Sequence, residues 1–303
     1  MSMTDAAAFR ASPEEAADAA SAAARRAGVD IRLLSEVDDF ARVAELFQSI
    51  WTKQGEASPV NVETLRALSK AGSYVGGAFE HDELVGACFG FFAAPGQRAL
   101  HSHIAGVSSR MRGRSVGFAL KVHQRAWALD EGLDEISWTF DPLISRNAHF
   151  NLVKLAASPT SYHRNFYGHM ADALNGADDT DRMLVTWYVR DPRVVAACHG
   201  DPAVSADRPD EGLTDGSADG SAHVEPLLSV GEDLGPLRHR TDARLVRVAL
   251  PRDIETLRLT EPARATAWRL ALRETLGSSL EGGGRVLAFD RSGAYTIDRG
   301  EQG

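Results

Sequence analysis

A short basic loop between a predicted strand and a predicted helix has the residue types best suited to chemistry. It reads Arg110-Met111-Arg112-Gly113-Arg114-Ser115-Val116-Gly117 and follows the alternating apolar segment Ala99–Val107. Its two glycines let backbone N–H groups approach an anion closely, because no Cβ stands in the way. The helix that begins at Val116 adds free amides and the positive end of its dipole. On this local pattern alone, a phosphate or pyrophosphate site and a plain turn both stay open.

The neighbourhood of this loop resembles the acyl-CoA-binding motif of the GNAT acyltransferases, Arg/Gln-x-x-Gly-x-Gly/Ala, which follows a strand. The resemblance implies that the loop holds the pyrophosphate of coenzyme A and that a backbone amide near Gly106 or Val107 contacts the acyl carbonyl. The implied cofactor-binding residues are Gly106, Val107, Arg112, Gly113, Arg114, Ser115, Val116 and Gly117. Ser115 departs from the motif, because it stands where the first motif glycine belongs. Serine is small, so we expect the cradle to form with a weaker affinity for coenzyme A.

Two histidines lie on the strand before the loop. His101 and His103 are two residues apart, so strand geometry places both on one face and Ser102 and Ile104 on the other. A histidine has a pKa near working pH and can take a proton from an attacking amine. We therefore predict that His103 is the catalytic base and that His101 binds substrate. A solvated or hydrogen-bonded structural role stays open for either histidine.

The acid for the leaving thiolate has no residue at its usual place. In the family this acid is a tyrosine on the helix after the fifth strand, and the resemblance puts Leu152 at that position. Tyr162, Tyr167 or water could replace it, and we predict Tyr167. Packing of an interface by a ring with a hydrogen-bonded hydroxyl would also explain either tyrosine.

Polar and aromatic residues are dense in the segments 138–151 and 165–168, which resemble a branch of bacterial GNAT proteins with a trailing domain. Asp141 follows a strand end and is predicted to be catalytic, and Asn147 begins the next helix and is predicted to bind the cofactor. A helix cap and a salt bridge would explain these two residues equally well. Arg182 is predicted to bind an acceptor carboxylate, because its guanidinium fork matches a carboxylate bidentately.

Composition excludes several classes of function. The 303 residues carry a formal net charge of −9 and are 44% hydrophobic, so no broad basic face for nucleic acid is expected. Cys88 and Cys198 lie far apart without metal-ligand spacing, which predicts no disulfide framework, no metal site and a reducing compartment. No apolar run approaches the roughly 20 residues of a membrane span, and the N-terminal segment does not read as a signal. We expect a soluble cytoplasmic protein.

The elements that must position these residues follow the order β-α-α-β-β-β-α-β-α-β, which is the GNAT order. The predicted strands are 31–36, 74–80, 84–93, 99–107, 135–140 and 183–189, and the predicted helices are 38–52, 61–71, 116–131 and 146–157. Before them, Ser12-Pro13-Glu14-Glu15 begins an alanine-rich helix, which we expect to pack weakly. After them come a strand at 243–250, a helix at 253–280 that breaks near Pro262, and strands at 285–290 and 293–298.

The sequence thus predicts an α/β protein with a GNAT fold, in which helices flank a mixed central sheet and a smaller β-α-β-β subdomain follows. The predicted domains are an extension at 1–29, the acyltransferase domain at 30–199, an acidic flexible linker at 200–222 and the C-terminal subdomain at 223–303. The break between the two globular parts is predicted from the linker, which has almost no apolar bulk.

The predicted function is acyl transfer from acyl-CoA to the amine of a small molecule, an amino acid among the candidates, by direct attack in a ternary complex. Acetyl-CoA is the default donor, and a longer donor such as succinyl-CoA stays open. Two alternatives are a protein-modifying acetyltransferase and a non-catalytic coenzyme A-binding sensor that kept the fold. The expected partner is the small-molecule amine, with no nucleic acid and no membrane. The oligomeric state stays open, a homodimer included.

Overall fold

The computed structural model describes residues 11–52, 57–168, 178–200 and 223–300, and the chain forms two compact units. The first unit is Met1–Trp138 with Trp187–Val204, and the second is Thr139–Thr186 with Ser205–Gly303. Residues 139–186, which the sequence assigns to the acyltransferase domain, therefore group with the C-terminal part of the chain. The predicted acidic linker lies, apart from Gly200, outside the described residues.

The predicted mixed sheet flanked by helices is confirmed. Its strands are β1 (Asp30–Leu33), β2 (Val75–Glu80), β3 (Glu83–Phe92), β4 (Ala99–Val107), β5 (Glu135–Phe140), β6 (Ser158–His163) and β7 (Arg182–Tyr188). Their order is β1-β2-β3-β4-β5-β7-β6. The pair β4–β5 is parallel, and the other pairs with a defined register are antiparallel.

The helices in the same part of the chain match the predicted order with two differences. They are α1 (Pro13–Ala27), α2 (Val37–Trp51), α3 (Val62–Lys70), α4 (Val116–Asp130), α5 (Ser145–Ala148) and α6 (Pro192–His199). α6 has no predicted counterpart, and the helix predicted at 146–157 is a short α5 that continues as a π-helical segment, His149–Lys154. Within the described ranges, no helix is long and apolar enough to cross a membrane.

α1 packs firmly on α4 instead of forming a peripheral extension. The Ser12 hydroxyl caps it by accepting from the Glu15 amide at 3.1 Å, and five alanines along the helix are buried. Glu15 accepts a 2.8 Å hydrogen bond from Arg125 of α4, whose side chain is fully buried. The expectation of weak packing was wrong, because small side chains let two helix backbones approach closely.

The apolar core of the first unit lies where α2 and α3 cover β2 and β3. Phe40, Phe47 and Leu65 are fully buried there. This core holds the antiparallel ladder of β3 with β4, in which Gly86 pairs with Val107 at one end and Phe92 with Leu100 at the other. The strand that carries the two histidines is therefore paired along one edge from Leu100 to Val107, with one irregularity at His103.

The second unit contains the predicted smaller sheet, enlarged by two strands. The strands are β8 (Glu225–Val230), β9 (Pro236–Arg238), β10 (Leu245–Ala249), β11 (Arg285–Phe289) and β12 (Ala294–Asp298), in the order β11-β12-β10-β8-β9. The helices are α7 (Ile254–Thr260), α8 (Pro262–Leu272) and α9 (Ser278–Glu281), with a π-helical segment at Arg273–Gly277. The predicted break near Pro262 is confirmed, and β8 and β9 had no predicted counterpart.

Candidate functional site

The loop between β4 and α4 contains two residues in the left-handed backbone conformation. Gly113 has a φ of 82° and Ser115 has a φ of 60°. A Cβ at Gly113 would meet no heavy atom within 4 Å, so glycine is needed there for its backbone angle and not for close packing. Ser115 adopts a conformation that a glycine adopts without cost. The residue that departs from the motif thus keeps the backbone shape a glycine would have.

The N-terminus of α4 leaves its first backbone donors without helical partners. Ser115 makes no side-chain capping hydrogen bond, and the first intrahelical bond of the turn runs from the Ala119 amide to the Ser115 carbonyl at 3.0 Å. The amides of residues 116–118 precede that bond. A Cβ at Gly117 would lie 3.7 Å from Val107 Cγ2, which is ordinary contact. Glycine there leaves clear space beside the open amides, which suits an approaching anion.

The three arginines of the loop differ in their contacts. Arg110 and Arg114 both pair with Glu80 at the end of β2, and Arg110 also contacts Glu83 at 2.9 Å. The Arg114 hydrogen bond, together with the two guanidinium charges, lowers the pKa of Glu80. Arg112 is exposed, and none of the ion pairs in the described ranges involves it. Of the predicted arginines, Arg112 has the guanidinium most available to a phosphate, whereas Arg114 is engaged by a carboxylate.

β4 presents both histidines on one face, and a β-bulge modifies the predicted alternation. The ring centroids of His101 and His103 lie 6.0 Å apart, and both rings contact Phe91. The register with β3 skips His103, so this residue is the extra one of the bulge. As a result Ile104 packs on the apolar core beneath α2, while Ser102 is buried on the α4 side. The simple alternation predicted that Ser102 and Ile104 share a face, but the bulge places their side chains on opposite faces.

The surroundings of both histidines favour the neutral imidazole. His101 Nδ1 lies 3.4 Å from Ser137 Oγ of β5. Partial burial lowers the pKa of both rings, and the charges of His103 and Lys121 lower that of His101 further. A neutral imidazole can accept a proton from an amine, which is the chemistry predicted for His103.

Lys121 of α4 is a buried cation that sequence reasoning missed. Its Nζ donates to Ser102 Oγ at 3.1 Å and to Gln124 Oε1 at 2.8 Å, and it lies 3.7 Å from the ring centroid of Trp138. None of the ion pairs in the described part of the chain involves it. Burial lowers its pKa to about 8. The available signal was a lysine between Leu120 and Val122 in an otherwise apolar part of α4.

In the second unit, Asp141 belongs to a buried group of ion pairs. It contacts both Arg258 and Arg269, the latter at 2.8 Å, and Asp178 contacts the same two arginines. Burial alone would raise the pKa of Asp141, but Arg269 and Arg258 hold it well below its usual range. These ion pairs account for a charged carboxylate at this buried position. The predicted catalytic role of Asp141 stays a prediction.

Tyr167 and Arg182 lie together in the second unit. The Arg182 guanidinium lies 5.3 Å from the Tyr167 ring centroid, and the Tyr167 hydroxyl lies 3.3 Å from Thr139 Oγ1. Tyr167 is 39% exposed. Tyr162 is instead buried and donates to Asp181 at 2.7 Å, and burial raises its pKa. Of the two tyrosines considered, Tyr167 is the one with access to a ligand.

Asn147 and Leu152 lie on the segment that follows β5. Asn147 is a half-buried residue of α5 whose backbone amide donates to the Ile144 carbonyl at 2.9 Å, and its predicted contact with the cofactor stays a prediction. Leu152 lies in the π-helical segment, so the position expected for the family's tyrosine is on an irregular turn.

No protein-family model and no curated protein matches this chain. Solved structures with a similar fold include a GNAT-family acetyltransferase from Streptococcus pneumoniae, at 14% identity over 52% of this chain and 97% of that one, TM-score 0.43. A ribosomal-protein-S5-alanine acetyltransferase from Vibrio fischeri matches at 15% identity over 54% and 94%, TM-score 0.44. A Salmonella typhimurium protein solved with its cofactor acetyl-CoA matches at 13% identity over 53% and 94%, TM-score 0.43. With TM-scores below 0.5, these likenesses are weak.

Proposed function

We propose that this chain is a GNAT-type N-acyltransferase that takes its acyl group from acyl-CoA. The observation that carries the proposal is the loop from β4 into α4. Its left-handed residues at 113 and 115 precede three open amides, and an exposed arginine lies within the same loop. The motif that resembles the family's pyrophosphate loop therefore has, in this chain, a backbone suited to an anion.

The loop supports a binding role for the pyrophosphate of coenzyme A. The amides of residues 116–118 would donate to its oxygens, and Arg112 would add a positive charge. Gly113 supplies the left-handed backbone angle of the loop, and Gly117 carries no side chain beside these amides. When bound, acyl-CoA supplies an activated thioester carbonyl, with acetyl as the default acyl group and succinyl as the longer candidate.

β4 would supply the groups that act on the reacting centre. His103, neutral and more exposed than His101, accepts a proton from the acceptor amine. The registered pairing of β4 with β5 reaches His101 and goes no further among the described residues. Backbone donors nearer Gly106 and Val107 are therefore candidates to hold the carbonyl oxygen as charge develops on it.

The acceptor is proposed to be a small-molecule amine, with an amino acid as the leading class. This rests on Arg182, whose guanidinium would match an acceptor carboxylate. The neighbouring Tyr167 hydroxyl is proposed as the acid that protonates the leaving thiolate. Both assignments are supported by the accessible ring of Tyr167 beside the guanidinium, 5.3 Å away.

A thiol-release assay tests the proposal. Purified protein is given acetyl-CoA or succinyl-CoA with a panel of amines that includes free amino acids, their amides and short peptides. We expect amine-dependent release of free thiol, greater with amino acids than with their amides. Binding of coenzyme A without thiol release from any amine would instead identify a non-catalytic binder, and release with peptides alone would identify a protein-modifying enzyme.

A further inference from the structure

Lys121 contacts two strands at the point where their pairing ends. β4 and β5 pair in parallel from Ala99–Glu135 to His101–Ser137. The next residue of β4 is Ser102, which accepts from Lys121 Nζ at 3.1 Å. The next residue of β5 is Trp138, whose ring centroid lies 3.7 Å from the same Nζ. One ammonium group therefore bridges the first residue of each strand beyond the registered pairs.

The surroundings of Lys121 do not explain it as a stabilising ion. Its side chain is buried, its other hydrogen-bond acceptor is the neutral Gln124 amide, and the Gln124 amide in turn donates to Cys88 Sγ at 3.4 Å. Burying an ammonium group without a carboxylate is costly, and an apolar side chain of similar length would avoid that cost. A role other than stability accounts better for a lysine at this position.

Ser102 links this lysine to the two histidines. It stands between His101 and His103 on β4, with its own side chain on the opposite face. The β-bulge at His103 adjoins it, and a bulge bends its strand and can turn a side chain toward a new direction. A shift of Ser102 would therefore move both imidazole rings.

We propose that Lys121 is a positioning residue, which holds β4 where its pairing with β5 ends, thereby orients His101 and His103, and acts on His101 through its charge. The catalytic part of this inference rests on the proposed function, in which His103 accepts the proton of the acceptor amine. The structural and electrostatic part concerns the protein alone.

The titratable groups around His101 and His103 determine in which direction the loss of the Lys121 charge should shift the pKa of His101. Burial lowers the pKa of His101 most, followed by the charges of His103 and of Lys121. β3 presents Cys88 to the lysine, and Tyr74, the residue before β2, interacts electrostatically with Cys88. Burial raises the pKa of both, so they stay neutral. β5 presents a serine and a tryptophan, which do not titrate. Removal of the Lys121 charge is therefore expected to raise the pKa of His101.

The test compares Lys121→Met with Ser102→Ala, which keeps the charge, and with Lys70→Met, which removes an exposed lysine from α3. Titration of the ring protons of His101 and His103 by NMR is followed in the protein alone. We expect Lys121→Met to raise the pKa of His101 by about 0.5, and the other two variants to leave it within about 0.1. An unchanged His101 titration in folded Lys121→Met would overturn the electrostatic part.

Turnover tests the positioning part. Lys121→Met is expected to lower kcat about tenfold, and Ser102→Ala about threefold, with the KM for acyl-CoA within about twofold of the parent value. A raised KM for acyl-CoA with an unchanged kcat would overturn the proposal. If Lys121→Met does not fold, Ser102→Ala decides, and an unchanged kcat in that variant rejects the proposal. A parent protein without turnover contradicts the proposed function, and the histidine titration then still tests the role of Lys121.

Discussion

Lys121 in the first unit and Asp141 in the second are both buried charged side chains, but their surroundings differ. Asp141 has two guanidinium groups within hydrogen-bond distance, and they hold its pKa well below the usual range. Lys121 has a hydroxyl, an amide and the Trp138 ring around it, and its pKa falls to about 8. A buried charge that neighbours compensate keeps its charge and supports the fold. One that is desolvated without compensation moves toward neutrality, as is common at functional sites.

The largest expected effect concerns the compensated group. Arg269→Met removes one guanidinium and leaves two buried carboxylates with fewer partners, so we expect a loss of about 3–5 kcal/mol in the free energy of unfolding. Urea denaturation measures this loss. Arg264→Met, on the same helix α8 but paired with Glu261 near the surface, is the matched control and should cost less than about 1 kcal/mol. Equal losses of unfolding free energy in the two variants would show that the buried ion pairs of Asp141 contribute no more to stability than a surface pair.

The next effect concerns the contribution of Lys121 to the pH dependence of the free energy of unfolding. Its pKa in the folded protein is about 8, below its ordinary value of 10.5, so the unfolded state binds more protons between those pH values. The parent should therefore gain stability as the pH rises from about 8 to 10.5, by up to about 3 kcal/mol relative to Lys121→Met. Denaturation of both proteins across this range measures the difference. Parallel curves for parent and variant would show that Lys121 titrates as an exposed lysine does.

A third effect concerns the face of β4 that carries the two histidines. His103→Ala should lower kcat on the order of 10²-fold, because it removes the proposed base, while the stability changes little at this exposed bulge position. Phe91→Leu, which alters a ring that packs on both histidines, is the control for lost packing and should lower kcat by less than about threefold. A change under about threefold in His103→Ala would return that residue to a structural role.

The smallest effect concerns the loop. Ser115→Gly relieves a left-handed serine and should raise the free energy of unfolding by about 1 kcal/mol. The same change restores the motif glycine, so the affinity for acetyl-CoA should rise by a few-fold. Ser109→Gly, in the preceding turn, is the control and should give neither gain. Weaker binding by Ser115→Gly would indicate that the serine itself contacts the ligand.

Local patterns predicted much of the fold and less of the candidate site. Alternation alone located β4 and β5 to the residue, and the cap at Ser12 is confirmed by its hydrogen bond to the Glu15 amide. β6 was missed because Ser158-Pro159-Thr160 lacks apolar alternation. The bulge at His103 arises from its register with β3, which the sequence of one strand does not encode. The burial of Lys121 among uncharged groups and the arginine partners of Asp141 likewise depend on residues distant in sequence.

The central claim is that the loop from β4 into α4 binds coenzyme A, and calorimetric titration with acetyl-CoA tests it most directly. The parent is compared with Gly117→Glu, which places a negatively charged side chain beside the open amides and so repels the pyrophosphate. The control is Gln97→Glu, which adds the same charge at an exposed turn. We predict binding by the parent and by Gln97→Glu, and a loss of at least about 100-fold in Gly117→Glu. Equal affinity in all three proteins, or no binding by the parent, would contradict the assignment of the loop.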